Sequence, residues 1–508
     1  MDLTQWIDRH AAFTPDRVAI EFESEAIAYR ELAARVARAA GALRMLGVGP
    51  GDRVAWLGQN HPATLVLLFA CARLRAIVVP LNWRLAAPEL RRMLKDCEPR
   101  ALFAQAPFRD TLEQIGIAPG PRGPLAIGAV PPGWGDGNAL LDVAAPVAAP
   151  ANPPDDDAPV LICYTSGSTG APKGAVLTQA ALFWNAVNST HMHDLTRADR
   201  VLTTLPLFHV GGLCIQTLPA LHAGATVYLH PKFDAGVTLE AITRHAISLT
   251  VLVPAQLDML VAQPGWAGGD LTALRCITTG SMIVPMRNFA AARARGVPLI
   301  QVYGCTETGP IATYTLPADA TRKIGSAGKA AVHCSVRVVA AAGRDAGRGE
   351  SGEILVRGPN VMTGYWNAPA ETAAALDGGW FHTGDIGHFD DDGDLWIDGR
   401  SKDLIISGGE NIYPAEIENV LAEAPDIAEV AVVGRPDPTW GEVVVAAIVT
   451  RSGRALAETE VRALLQDRIA RYKHPREIVF LRELPRSALG KLRRDELRRM
   501  LRGEALVQ

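Results

Sequence analysis

Between Thr165 and Gly174 the chain reads TSGSTGAPKG. Four hydroxyls (Thr165, Ser166, Ser168, Thr169), three glycines (Gly167, Gly170, Gly174) and Lys173 are packed into ten residues. Glycine lets backbone N–H groups come close to an anion, hydroxyls donate, and a lysine neutralises charge. That combination suits a grip for a polyphosphate, with a flexible surface loop as the alternative. It is not the common G-x-x-x-x-G-K-[ST] loop, because Pro172 stands where the second glycine belongs and Gly174 where the Ser or Thr belongs.

Four further stretches carry chemistry. QVYGCTETGP presents Thr306 and Glu307 after Tyr303 and Gly304. One carboxylate beside a phosphate loop suits Mg2+, which shares its oxygen ligands among carboxylate, phosphate and water. GGWFHTGDIG holds Asp385, which we expect in a turn, where its carboxylate could accept both hydroxyls of a ribose. DGRSKDLIISGGENIYPAEIE contains Arg400, Lys402 and the pair Gly408–Gly409, and LPRSALGKLRR contains Lys491 on an expected loop. Each has a bland alternative as a surface turn, a salt bridge or a helix cap.

The elements that must position these residues alternate. RVAWLG, PATLVLLFACARLRA, IVVPLN, APELRRMLKDCE and RALFAQ, within residues 53–105, predict a βαβαβ unit on a parallel sheet. After an Ala-, Pro- and Asp-rich connection at residues 143–159 the alternation resumes through PVLICY, a helix near residues 179–193, RVLTTLPL, ATVYLH, SLTVLV, LRCITTG and PLIQVYG. Ligands of such sheets bind beyond the carboxyl ends of the strands, and three of these ends carry unusual chemistry: residues 164–174, 279–282 and 303–308. Residues 323–366 predict a separate antiparallel subdomain, and the residues after Gly399 a compact α+β unit in which Pro414 suits a first helical turn.

Together and in this order, YTSGSTGAPKG, YGCTETG, WFHTGD, GRSKDLIISGGENIYPAEIE and PRSALGK resemble the adenylate-forming enzymes: acyl-CoA synthetases, adenylation domains of peptide synthetases and beetle luciferases. The resemblance spans about residues 16–498, and GGENIYPAEIE looks most like the CoA ligases. It implies an α/β fold: a large N-terminal domain, residues 1–399, of parallel βα-layered subdomains plus a small β-barrel-like one, then a small mobile α+β domain, residues 400–508, hinged near Lys402. It also implies a two-step ligase. A carboxylate attacks the α-phosphate of ATP, pyrophosphate leaves, the small domain turns, and the thiol of coenzyme A displaces AMP.

Carried over residue by residue, the resemblance places Thr165, Ser166, Gly167, Ser168, Thr169, Gly170 and Lys173 on the β- and γ-phosphates. Glu307 would bind Mg2+ and Thr306 would sit on the α-phosphate. Gly280, Ser281, Met282 and Tyr303 would line the adenine site, with Gly304 beside it. Asp385 and Arg400 would hold the ribose, Lys491 would bridge the α-phosphate and the substrate carboxylate, and Gly408 and Gly409 would wall the pantetheine tunnel. His209 in LPLFHVGG would stand at the mouth of the acyl pocket. His191 and His193 match no motif and are expected at the surface. The expected acyl wall, residues 209–212, 279–283 and 304–306, is apolar and glycine-rich and shows no cation for a second carboxylate. It suits a hydrophobic acid, either a medium- or long-chain fatty acid or a cinnamic-type aromatic acid. A free-standing adenylation enzyme that loads a phosphopantetheinyl carrier protein is the alternative.

Bulk properties agree with an enzyme that acts on small molecules. A net charge of −4 over 508 residues gives no reason to expect a nucleic-acid partner. Seven cysteines form no CxxC pair, which suits a reducing cytoplasm. The apolar run at residues 63–72 is about half of the ~20 residues that span a bilayer and reads as a buried helix. Most of the basic residues of 486–503 are expected on the exposed face of a last helix. The sequence leaves the oligomeric state open, a homodimer included.

Overall fold

The structure is a computed structural model that describes residues 3–117, 120, 123–150, 157–166, 172–281, 284–340, 343–407, 410–438, 440–451, 456–466, 468–469, 471–487 and 490–502. The predicted βαβαβ unit forms as strand Arg53–Leu57, helix Pro62–Leu74, strand Ile77–Leu81, helix Ala87–Cys97 and strand Ala101–Gln105. Its strands are parallel and belong to an eight-stranded sheet that also takes in Pro159–Ser166 and Pro172–Thr178. Helix Pro62–Leu74 is apolar on every side because every side is covered. It packs on helices Leu3–Phe13 and Tyr29–Met45 and on strand Ile77–Leu81. His61 caps it, accepting from the Ala63 N–H at 3.1 Å. Among the described residues no helix is long and apolar enough to cross a membrane.

A nine-stranded sheet follows. Its centre is parallel, in the order Leu299–Tyr303, Cys276–Gly280, Leu249–Val251, Arg200–Thr203, Thr226–Leu229 and Val18–Phe22. One continuous core joins both sheets, with Val78 and Leu161 of the first and Val201 and Leu249 of the second. The antiparallel subdomain pairs Ser335–Val339, Gly352–Arg357, Trp380–Phe389 and Leu395–Arg400. It therefore runs past residue 366 to residue 400. Lys329–Ala330 and Gly364–Tyr365, inside the segment expected to form it, instead extend the nine- and eight-stranded sheets. The last unit has its own core, in which Ile405, Ile417, Val432 and Ile448 meet.

One expectation about polar residues fails, and two arginines depart from the exposed face expected of most basic residues of the last helix. His193 is not at the surface: it is fully buried and bonded on both ring nitrogens, whereas His191 is exposed and meets the Tyr314 hydroxyl at 2.9 Å. In the last helix, Arg494–Leu501, two arginines turn inward. Arg494 pairs with Glu418 at 2.6 Å and Arg498 with Asp403 at 3.0 Å. A carboxylate beside the proposed hinge residue Lys402 gives these guanidiniums a better site than solvent.

Candidate active site

The two ends of the Thr165–Gly174 stretch lie on paired antiparallel strands. Strands Pro159–Ser166 and Pro172–Thr178 pair with Thr165 opposite Lys173 and Ser166 opposite Pro172. The grip is thus carried between two strands, where a P-loop would run from strand to helix. Gly167, Ser168, Thr169 and Gly170 lie outside the described residues, as do Met282, Gly408 and Gly409. Lys173 holds its ammonium 5.4 Å from the centre of the Tyr365 ring, a cation–π contact. Tyr365 in turn donates its hydroxyl to Glu307 at 2.9 Å. Burial, then Glu307, raises the phenol above its ordinary range, so it stays a donor.

Thr306 and Glu307 stand on the short turn Thr306–Thr308 just past strand Leu299–Tyr303, and both are buried. Two features hold that turn. Met362 donates its N–H to the Glu307 carbonyl at 2.8 Å, and Thr308 caps the Cys305 N–H at 3.0 Å. Gly304 is required by packing, since a Cβ there would lie 1.8 Å from the Pro310 carbonyl oxygen. Gly280 ends the neighbouring strand for the same reason: its Cβ would meet the Val302 carbonyl at 2.4 Å. Ser281 follows with φ +71°, a left-handed conformation uncommon for a serine, and is exposed.

Asp385 is not in a turn. It sits within strand Trp380–Phe389, directly opposite Arg400 on Leu395–Arg400. The cross-strand register brings the Arg400 Nε to 2.9 Å from one carboxylate oxygen, and the Tyr303 hydroxyl donates to the other at 2.9 Å. Burial pushes the Asp385 carboxyl up, against Arg400, the Tyr303 hydrogen bond and the charge of Lys491. Burial and the same carboxylate raise the Tyr303 phenol.

Lys491 comes from the last unit. Gly490, at φ +78°, closes a tight loop in which Ser487 and Lys491 pair backbone to backbone at 2.8 Å. The ammonium reaches solvent, yet it lies in a cleft with protein around it. Desolvation, then Arg400, lowers its pKa, opposed by Glu307 and Asp385. His209 is drawn into the same cluster. Burial, then the charges of Lys491 and Arg84, pull its imidazole down to about 4, so it is neutral. Its Nδ1 accepts from the Gly211 N–H at 3.0 Å, which leaves the proton on Nε2.

The structure therefore gathers Tyr303, Asp385, Arg400, Glu307, Lys491 and His209 into one electrostatic cluster, with Lys173 joined to it through Tyr365. Lys402 stands apart and exposed in the turn Ser401–Asp403. Tyr365 was missed by sequence reasoning, which saw only a β-rich segment. No spacing announces it, because its partners come from other strands.

Residues 7–366 match the family described as AMP-binding enzyme, and residues 416–491 match the AMP-binding enzyme C-terminal domain. A protein of Aromatoleum aromaticum named indoleacetate–CoA ligase is 56% identical, with 100% of each chain covered. A feruloyl-CoA synthase of Amycolatopsis sp is 42% identical, with 98% of each covered. Among solved structures, o-succinylbenzoate CoA synthetase of Bacillus subtilis, bound to its acyl-adenylate intermediate, is similar with a TM-score of 0.86 and 33% identity over 97% of each chain.

Proposed function

Because the chain belongs to the AMP-binding enzyme family, we propose that it activates an aromatic acid with a short carboxylate arm, of the arylacetate kind, as its acyl-adenylate and passes the acyl group to coenzyme A. The observation that carries the substrate class is the whole-length 56% identity to a protein named for indoleacetate. The glycines of the expected acyl wall answer to packing: a Cβ at Gly212, Gly280 or Gly304 would strike the chain's own backbone.

The chain's own groups divide the work of the first step. Asp385 uses one lone pair of each oxygen for Arg400 and Tyr303, which leaves one on each for the two ribose hydroxyls. Lys491 carries its charge to the point where the acid carboxylate and the α-phosphate meet, and its closeness to Glu307 and Asp385 is the arrangement that adenylation needs. Most of this catalysis is positioning and charge neutralisation. His209 donates from Nε2 at the mouth of the acyl chamber. Lys173 and the rest of the Thr165–Gly174 stretch hold the outer phosphates.

The residues fit a magnesium ion. Glu307 is a single buried carboxylate already oriented by Tyr365, and among the described residues no cluster of three or more His, Cys, Asp or Glu side chains offers a rival cage. One carboxylate shared with phosphate oxygens is the donor set magnesium takes, and the ion would offset phosphate charge. For the second step the unit after Lys402 would turn, withdraw Lys491 and open the thiol path past Gly408 and Gly409.

The test is release of AMP from ATP over a panel of acids: indole-3-acetate, phenylacetate, ferulate and decanoate, with either coenzyme A or a loaded carrier protein. Fastest turnover is expected for indole-3-acetate with coenzyme A. Turnover of decanoate alone would overturn the aromatic reading, and turnover with the carrier protein alone would overturn the acceptor.

A further inference from the structure

Helix Gln179–His193, the π-helical turn Leu213–Thr217 and strand Cys276–Gly280 meet around a fully buried polar network. His193 Nδ1 faces the Ser189 carbonyl at 2.9 Å and the Ser189 hydroxyl at 3.1 Å. That hydroxyl gives its own hydrogen to the Ile215 carbonyl at 2.5 Å. Both neighbours of Nδ1 therefore accept, so Nδ1 carries the proton and Nε2 is bare. Burial keeps the ring neutral, with its pKa pulled down to about 4.

The bare Nε2 lies 3.0 Å from the Gln216 side-chain amide and 2.8 Å from the Thr278 hydroxyl. Facing an acceptor, Gln216 must present its NH2, which also reaches Thr278 Oγ1 at 3.2 Å. The network thus fixes which way the amide points, and Oε1 is the end turned away. Gln216 is 1% exposed, and among the described residues Oε1 has no hydrogen-bond partner; the same is true of the Thr204 hydroxyl. A buried acceptor left unpaired costs about 1–3 kcal/mol, and one held so firmly in place calls for a partner from outside the chain.

The place of this acceptor names the partner. Thr204 and Gln216 line a small cavity of about 10 Å³ together with Leu205, Gly211, Gly212 and Val251, a volume near that of one water. Gly211 and Gly212 follow His209 directly. Thr278, bonded to the same amide, is two residues before Gly280, so both face the same side of the strand, one pleat apart. The cavity therefore lies against the segment that follows His209, which is part of the expected acyl wall.

We propose that Gln216 Oε1 is the specificity determinant at the expected acyl wall. It accepts a hydrogen bond from an N–H or O–H on the ring of the acid. His193 is a positioning residue that sets the direction of the amide. The inference rests on the aromatic-acid reading and adds to it that the ring must bring a donor.

The experiment compares indole-3-acetate with 1-benzothiophene-3-acetate, close in shape but without the donor, by kcat/KM for CoA-dependent AMP release. The wild-type enzyme is expected to favour the indole by ~10- to 100-fold, the ratio worth one buried hydrogen bond. Gln216→Leu is expected to bring that ratio to within about threefold, largely by lowering the indole rate. Retained turnover of the benzothiophene acid reports that the variant folds, and Gln216→Met serves if it does not. Equal rates in the wild type, or an undiminished indole preference in a folded variant, would overturn the proposal. Ferulate and decanoate run in parallel. Turnover of decanoate alone removes the aromatic reading and this inference with it, whereas aromatic turnover without donor preference removes this inference only.

Discussion

Tyr365 and Glu307, 58 residues apart in the chain, are joined by a 2.9 Å hydrogen bond from the phenol to the carboxylate. The phenol ring also carries the Lys173 ammonium on its face, so one side chain links the phosphate hairpin to the proposed magnesium carboxylate. Tyr365→Phe keeps the ring and removes the donor. A hydrogen bond to a charged group contributes about 1.5–3 kcal/mol, so the magnesium concentration for half-maximal pyrophosphate exchange should rise roughly tenfold, with the melting temperature little changed. An unaltered magnesium dependence would take Tyr365 out of the site.

Lys491 comes from the last unit, and its charge acts on both His209 and Asp385. Lys491→Ala should depress ATP–pyrophosphate exchange by about 10²–10³-fold. Thioester formation from chemically made acyl-adenylate should stay within a few-fold of normal, because on the proposed mechanism the lysine would leave the site when the unit turns. Loss of both steps together would refute the turning of the unit, and normal exchange would refute the role of the lysine.

Gly304 has no room for a methyl group, since a Cβ would stand 1.8 Å from Pro310 O and 2.7 Å from Thr308 Oγ1. Gly304→Ala must push the Thr306–Thr308 turn aside. Overpacking of this kind costs about 1–3 kcal/mol, read as a lower urea midpoint, and adenylation should fall with it. Wild-type values of both would show that the turn gives way freely.

Four histidines, His61, His193, His209 and His222, are each pulled down to about 4 chiefly by burial. Unfolded, they would take up protons near pH 6.5; folded, only near 4. Their neutral burial therefore costs nothing above pH 6.5, and stability is lost as the pH falls from there towards 4. For the fully buried His193 the loss is on the order of 3 kcal/mol once the pH is below 4. Urea unfolding at pH 7.5, 6 and 5 should show the midpoint falling at each step. A flat profile would mean that these rings are charged in the fold.

The sequence by itself determined the alternation of strands and helices, the order of the two units and the residue types at the strand ends. These are local properties: periodicity reports which face is buried, and glycine with hydroxyls reports where backbone must approach an anion. The burial of helix Pro62–Leu74 was legible for that reason, as were Gly280 and Gly304 at the ends of neighbouring strands.

Only the tertiary structure decided who faces whom. Asp385 read as a turn residue and became a strand residue because its partner Arg400 is set by cross-strand register. His193 read as a surface histidine, but its ring is bonded to Thr278, 85 residues away. Tyr365 and Gln216 carried no signal at all in the chain. A hydrogen bond needs its two atoms within about 3 Å and aligned, and for residues this far apart that is fixed by how sheets and helices stack. No spacing in a linear pattern contains that information, which is why the unpaired oxygen of Gln216 could be seen only in the folded protein.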